Sequence, residues 1–66
     1  MSQYEDIDTK AKKAINRLPF KVEHDKGIFI WKTHVKEDKL KYWIDQAEIN
    51  GIIEQDRKKN TIKRIK

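Results

Sequence analysis

Few residues of this chain carry side chains suited to covalent chemistry. Ser2 is the single serine, and cysteine is absent. The two histidines, His24 and His34, have no acid at a spacing that builds a dyad. The carboxylates are scattered along the chain rather than paired in an apolar setting that would raise a pKa. His24 with Asp25, or His34 with Glu37 and Asp38, offers at most a weak divalent-metal site, because first-row metals need convergent ligands. Both glycines fall at turn positions, which leaves no glycine-rich phosphate loop. The expectation is a protein that is not an enzyme, with no metal and no cofactor.

The chemistry that remains is charge recognition. The last ten residues, 57–66, hold six of the sixteen Lys and Arg residues and none of the eleven acids. With a formal net charge of +5 overall, residues 1–56 sum to −1, from ten bases and eleven acids. Arg57, Lys58, Lys59, Lys63, Arg64 and Lys66 are therefore the candidate phosphate contacts. A sequence pI near 9.6 meets the criterion for a basic nucleic-acid-binding domain. Contact of all six with phosphate would give a salt slope near about −5. Such contacts position a protein without specifying sequence, and Arg57 and Arg64 are the better candidates for bidentate pairing with guanine. Thr61, Lys63 and Ile65 alternate with Ile62, Arg64 and Lys66, the pattern of a strand tethered to a core through Ile62 or Ile65.

The elements that would position these bases form a single domain over residues 1–66. At that length a core rarely supplies more than about 3–5 kcal/mol of net stability. Disulfides are ruled out, so good local patterning, a partner or a homodimer must help. No apolar run approaches the roughly 18 residues of a membrane span, so no membrane role is expected. The N-terminus has neither the positive start nor the apolar stretch of a signal peptide, which points to a cytoplasmic protein. Charged residues make up 41% of the chain, yet ten isoleucines and six aromatics recur periodically, as in a folded domain.

Ser2-Gln3-Tyr4-Glu5 has the form of a capping box. Tyr4, Ile7, Ala11, Ala14, Ile15 and Leu18 then fall on one face of a helix over about residues 3–18, which Pro19 stops. Lys10, Lys13 and Arg17 form a stripe off that face. It reads either as a secondary phosphate-contacting surface or as a solvated face, and Asp6 and Asp8, four residues before Lys10 and Lys12, favour the solvated reading. Residues 20–35 suggest a β-hairpin with a His24-Asp25-Lys26-Gly27 turn and a left-handed Gly27. Val22 would then oppose Ile30, and Glu23 would oppose Phe29. Phe20, Val22, Ile28 and Ile30 would face the core, and Phe29 and Trp31 would share the other face with Lys21 and Glu23. Phe29 and Trp31 could stack single-stranded bases or meet a partner, but in so small a protein cover by a helix is the commoner outcome.

A second helix over about residues 34–50 has Thr33 as its cap, Leu40, Trp43, Ile44 and Ala47 as its inner stripe, and Asn50-Gly51 as a left-handed stop. Residues 52–55, a polar turn over 56–60 and the basic strand complete a second hairpin. The expected fold is α+β, in the order helix, β-hairpin, helix, β-hairpin.

From the second helix onward the outline resembles the end of a winged-helix domain: a helix closed by glycine, Gly51-Ile52-Ile53 opening a strand, a charged turn, and an alternating return strand. That resemblance implies DNA binding. The would-be recognition helix departs from it, with Glu37, Asp38, Asp45 and Glu48 against Lys36, Lys39 and Lys41, and little chain is left for the helix that usually precedes it. The basic hairpin is thus expected to do most of the binding. The leading expectation is a small regulatory or architectural DNA-binding protein, of the kind phages and mobile elements encode. A protein–protein module that modulates a larger host enzyme is the first alternative, and RNA binding the second.

Overall fold

The computed structural model describes residues 6–66. Three helices and a three-stranded antiparallel sheet follow one another as α1 (Ile7–Asn16), β1 (Glu23–Asp25), α2 (Lys26–Thr33), α3 (Glu37–Ile49), β2 (Ile53–Asp56) and β3 (Thr61–Arg64). The α+β class expected from the sequence is present. Its order is not helix, hairpin, helix, hairpin, because the first hairpin does not form.

Helix α1 starts at Asp6, whose carboxylate accepts the Thr9 N–H at 2.7 Å as an N-cap should. The Thr9 side chain, and then this N–H bond, hold the Asp6 carboxyl below its usual pKa. The expected capping box, Ser2 to Glu5, and with it Tyr4, lies outside the described residues. Ala11, Ile15 and Leu18 are buried, whereas Ile7 at the start of the stripe is exposed.

The largest correction falls on residues 20–35. Ile28-Phe29-Ile30-Trp31 is rich in strand-favouring side chains, yet it is the middle of α2. Asp25 decides the outcome locally: its carboxylate accepts the Ile28 N–H at 2.9 Å and caps a helix where a turn was expected. Gly27 is helical and is not left-handed. With no second strand beside it, β1 pairs with β3 instead, matching Glu23 to Lys63, His24 to Ile62 and Asp25 to Thr61. Of the four residues expected to face the core, Phe20, Val22 and Ile28 are exposed and only Ile30 packs against it. Phe29 does the same, while Trp31, two residues along the helix, is 74% exposed. The pair therefore shares no face, since residues two apart on a helix point in different directions.

His34 takes a left-handed conformation (φ 56°) after α2 and turns the chain through buried Val35 into α3. Thr33 is the last residue of α2 and not the cap of α3. Its hydroxyl donates to the Ile30 carbonyl at 2.9 Å, and Lys36 occupies the N-cap without a side-chain bond. The inner stripe of α3 is as expected, with Leu40, Ile44 and Ala47 buried and Trp43 packed beside them. Its end is a Schellman motif: the Gly51 N–H reaches the Glu48 carbonyl at 3.0 Å, and the Ile52 N–H reaches Ala47 at 2.8 Å. Gly51 is left-handed there (φ 75°), as the sequence implied.

The sheet order is β1-β3-β2, so the basic strand is central rather than a projecting arm. Alternation fixes what each side carries. Ile53 and Ile62, at 1% and 0% exposure, face inward and join Ala11, Ile15, Leu18, Val35, Leu40, Ile44 and Ala47 in one core. The outer side has the rows Glu23–Lys63–Glu54 and Asp25–Thr61–Asp56. Among the described residues no helix is long and apolar enough to cross a membrane.

Candidate nucleic-acid interface

The six C-terminal bases meet quite different surroundings. Arg57 is clamped by Glu48 in a two-pronged pair, Nη2 to Oε1 at 2.9 Å and Nη1 to Oε2 at 3.1 Å. The pair raises the Arg57 pKa, and the same bonds pull Glu48 below the ordinary carboxylate range against the opposing effect of desolvation. Gln55 braces the clamp. Its amide donates to Asp45 at 2.9 Å and to Glu48 at 3.1 Å, while its carbonyl accepts from Lys26 Nζ at 2.8 Å.

Arg64 is also engaged. Its side chain donates to the carbonyls of Asn16 and Leu18 at the end of α1 and to that of Lys66, and its guanidinium lies 4.2 Å from the centre of the Phe20 ring. Both arginines expected to read base edges are thus occupied within the protein. Lys63 stands between Glu23 and Glu54 in the sheet, 3.9 Å from Glu54, so the outer face offers four carboxylates against one lysine. That face repels phosphate. Lys66 follows β3, its N–H directed to the Ile52 carbonyl at 3.2 Å and its side chain exposed.

Lys58 and Lys59 differ from Arg57, Lys63 and Arg64. They occupy the four-residue loop 57–60, where Asp56 accepts both of their backbone N–H groups at 3.0 and 3.1 Å and Asn60 closes the loop left-handed (φ 57°). The backbone is held, and the two ammonium groups are exposed with no carboxylate partner among the described residues. The bases of α3 contrast with these: Lys39 lies 3.5 Å from Asp8, and Lys41 is 3.7 Å from Glu37.

The α1 stripe of Lys10, Lys13 and Arg17 is the second basic feature. It forms one wall of a cleft of about 760 Å³ whose other wall is α2, through Phe29, Lys32 and Thr33, with His24 and Val35 completing the lining. Sequence reasoning missed Lys32 because it placed residues 28–33 in a strand, and it put His24 in a turn rather than in β1. Asp25 three residues before Ile28 was the available signal. No group of three or more His, Asp or Glu side chains that could hold a metal ion is gathered among the described residues. Comparison of the chain with protein-family models, characterised proteins and solved structures gives no match.

Proposed function

We propose that this is a small non-enzymatic DNA-binding protein, regulatory or architectural, working in the cytoplasm. Its β2–β3 turn sets Lys58 and Lys59 against backbone phosphate. One observation carries this reading: the turn is the place in the C-terminal segment where two adjacent cations are exposed, unpaired among the described residues and mounted on a hydrogen-bonded backbone. Preorganisation lowers the ordering cost of each phosphate contact. The winged-helix reading is supported by α2, which fills the place before α3 that the sequence left empty, so that β2, the turn and β3 would act as the wing. The bases of α3 are paired with acids, which favours the wing over a major-groove helix as the binding element.

Charge reversal in Lys58→Glu/Lys59→Glu tests this directly. The expected outcome is loss of an electrophoretic mobility shift with duplex DNA while the circular dichroism spectrum is retained. Unchanged binding overturns the wing assignment. Neutralising both lysines should make the plot of log affinity against log salt shallower by about 1.8, at about 0.9 per phosphate released. Parallel titrations with single-stranded DNA and RNA separate the nucleic-acid classes.

A second reading, a protein partner, has one observation in its favour: Trp31 and Ile28, three residues apart on α2, are both exposed. On that reading Trp31→Ala leaves the thermal midpoint nearly unchanged and abolishes partner binding.

A further inference from the structure

We infer that the cleft between α1 and α2 is a second phosphate-binding surface, which takes the backbone of the same DNA that the turn engages. It rests on the DNA-binding reading only for the carrier of the phosphate; the charge and shape of the cleft stand apart from it.

Four cations line the cleft, Lys10, Lys13, Arg17 and Lys32, contributed by two helices that are separate in sequence. No Asp or Glu is in the lining. The two acids that the sequence placed to neutralise the stripe are committed elsewhere. Asp6 caps α1 through the Thr9 N–H, and Asp8 accepts the Trp43 indole N–H at 2.9 Å and meets Lys39 on the α3 side. Lys12, the remaining α1 base, lies over the Trp43 ring, 4.4 Å from its centre, and so belongs to the α3 side as well. The helix thus sorts its bases: one packs on an aromatic ring, and three turn to the cleft.

A second kind of observation accompanies the charge. The Nε2 atom of His24, a lining residue, is shut off from solvent with no hydrogen-bond partner among the described residues. Buried polar atoms are normally hydrogen-bonded, so this one is left open to a group that the protein itself does not supply. An imidazole N–H beside lysines and an arginine is one of the donor types that phosphate oxygens accept.

The span of the wall selects the kind of anion. From Lys10 to Arg17 the α1 axis advances about 10 Å, at about 1.5 Å per residue. That is longer than one phosphate group and close to three steps of a single DNA strand, which carries one charge per about 3.4 Å of axis. A linear polyanion fits this spacing better than an isolated phosphate. An apolar ligand would offer no counter-charge to Lys10, Arg17 and Lys32, and desolvating a charge is costly.

The test compares the full chain with Lys10→Gln/Arg17→Gln/Lys32→Gln and with Lys58→Gln/Lys59→Gln, each titrated with one DNA duplex across a salt series. The cleft variant should make the salt slope shallower by about 2.7, and Lys32→Gln alone by about 0.9, which keeps the test available if the triple variant melts early. Lys41→Gln, which removes a base paired with Glu37 on α3, should leave the slope unchanged and controls for net charge. Titrating the wild-type protein with tripolyphosphate should shift the amide resonances of Ala14, His24 and Lys32. If the cleft variants keep the wild-type slope, or these amides do not move, the inference is overturned. A loss confined to the turn variant then leaves the wing intact, whereas a loss confined to the cleft variants removes the wing and retains the cleft.

Discussion

The C-terminal strand and the α1–α2 cleft are both basic, but they hold their cations in opposite ways. In the strand and its turn the bases are adjacent in sequence, and most are spent on the protein itself. Arg57 is clamped to Glu48, Arg64 is tied to the end of α1, and Lys63 stands between Glu23 and Glu54. In the cleft the bases come from residues 10 to 32, and no carboxylate is in the lining. A run of positive charge in a sequence is therefore not the same as positive charge offered to a ligand. Offered charge depends on which neighbours the fold brings to each cation, and those neighbours are mostly distant in sequence.

The strongest way to break the comparison is to ask whether the basic strand is an attached arm at all. Ile62 is fully buried beneath the sheet and belongs to the same core as Leu40 and Ile44. Truncating a buried isoleucine to alanine costs about 2–5 kcal/mol. A domain of this length has only about 3–5 kcal/mol to lose. Ile62→Ala should therefore unfold the whole molecule near room temperature, helices included, as read by circular dichroism in a urea titration. If the variant keeps its helices and loses only the strand, the strand is an appendage and the contrast with the cleft collapses.

Arg64 gives a smaller and more selective test. Its guanidinium joins the central strand to the carbonyls of Asn16 and Leu18. Hydrogen bonds from a charged donor contribute about 1.5–3 kcal/mol when partly buried, and the position is only half covered, so the lower end applies. Arg64→Ala should lower the urea midpoint clearly while leaving the DNA salt slope where it was. A shallower slope with unchanged stability would return Arg64 to the proposed phosphate interface.

These two residues also show how much was legible in the sequence. Strand alternation places Ile62 and Ile65 on opposite faces with one of them inward, and the C-terminal end of α3 follows from its apolar stripe and Gly51. Local rules decide such features. The partners of Arg64 are 46 and 48 residues away, and nothing in the composition of either segment announces them. Residues 20–35 failed for a related reason. Ile28 to Trp31 favour a strand by side-chain type, but the strand that pairs with β1 is β3, a choice made by the whole fold. Placing Lys32 in a strand hid it from Lys10 and Arg17, so the stripe on α1 was visible and the cleft was not.

The smallest expected effect concerns the clamp, and it asks whether a cation can be moved from one region's behaviour to the other's. Glu48 holds Arg57 through two hydrogen bonds, which lower the Glu48 pKa. A carboxylate whose pKa is depressed on folding stabilises the protein above its unfolded pKa, and that contribution fades as pH falls through the folded value. The wild type should therefore lose stability on the acid side of the ordinary glutamate range, and Glu48→Gln should show less of that loss. On the proposed DNA-binding reading, the same substitution removes the charge that holds Arg57 away from phosphate. Arg57 then joins Lys58 and Lys59 at the turn, and the DNA salt slope should steepen by up to about 0.9. An unchanged slope in Glu48→Gln would mean that geometry, and not pairing, keeps Arg57 from the ligand. The line between spent and offered charge would then run through the loop backbone rather than through Glu48.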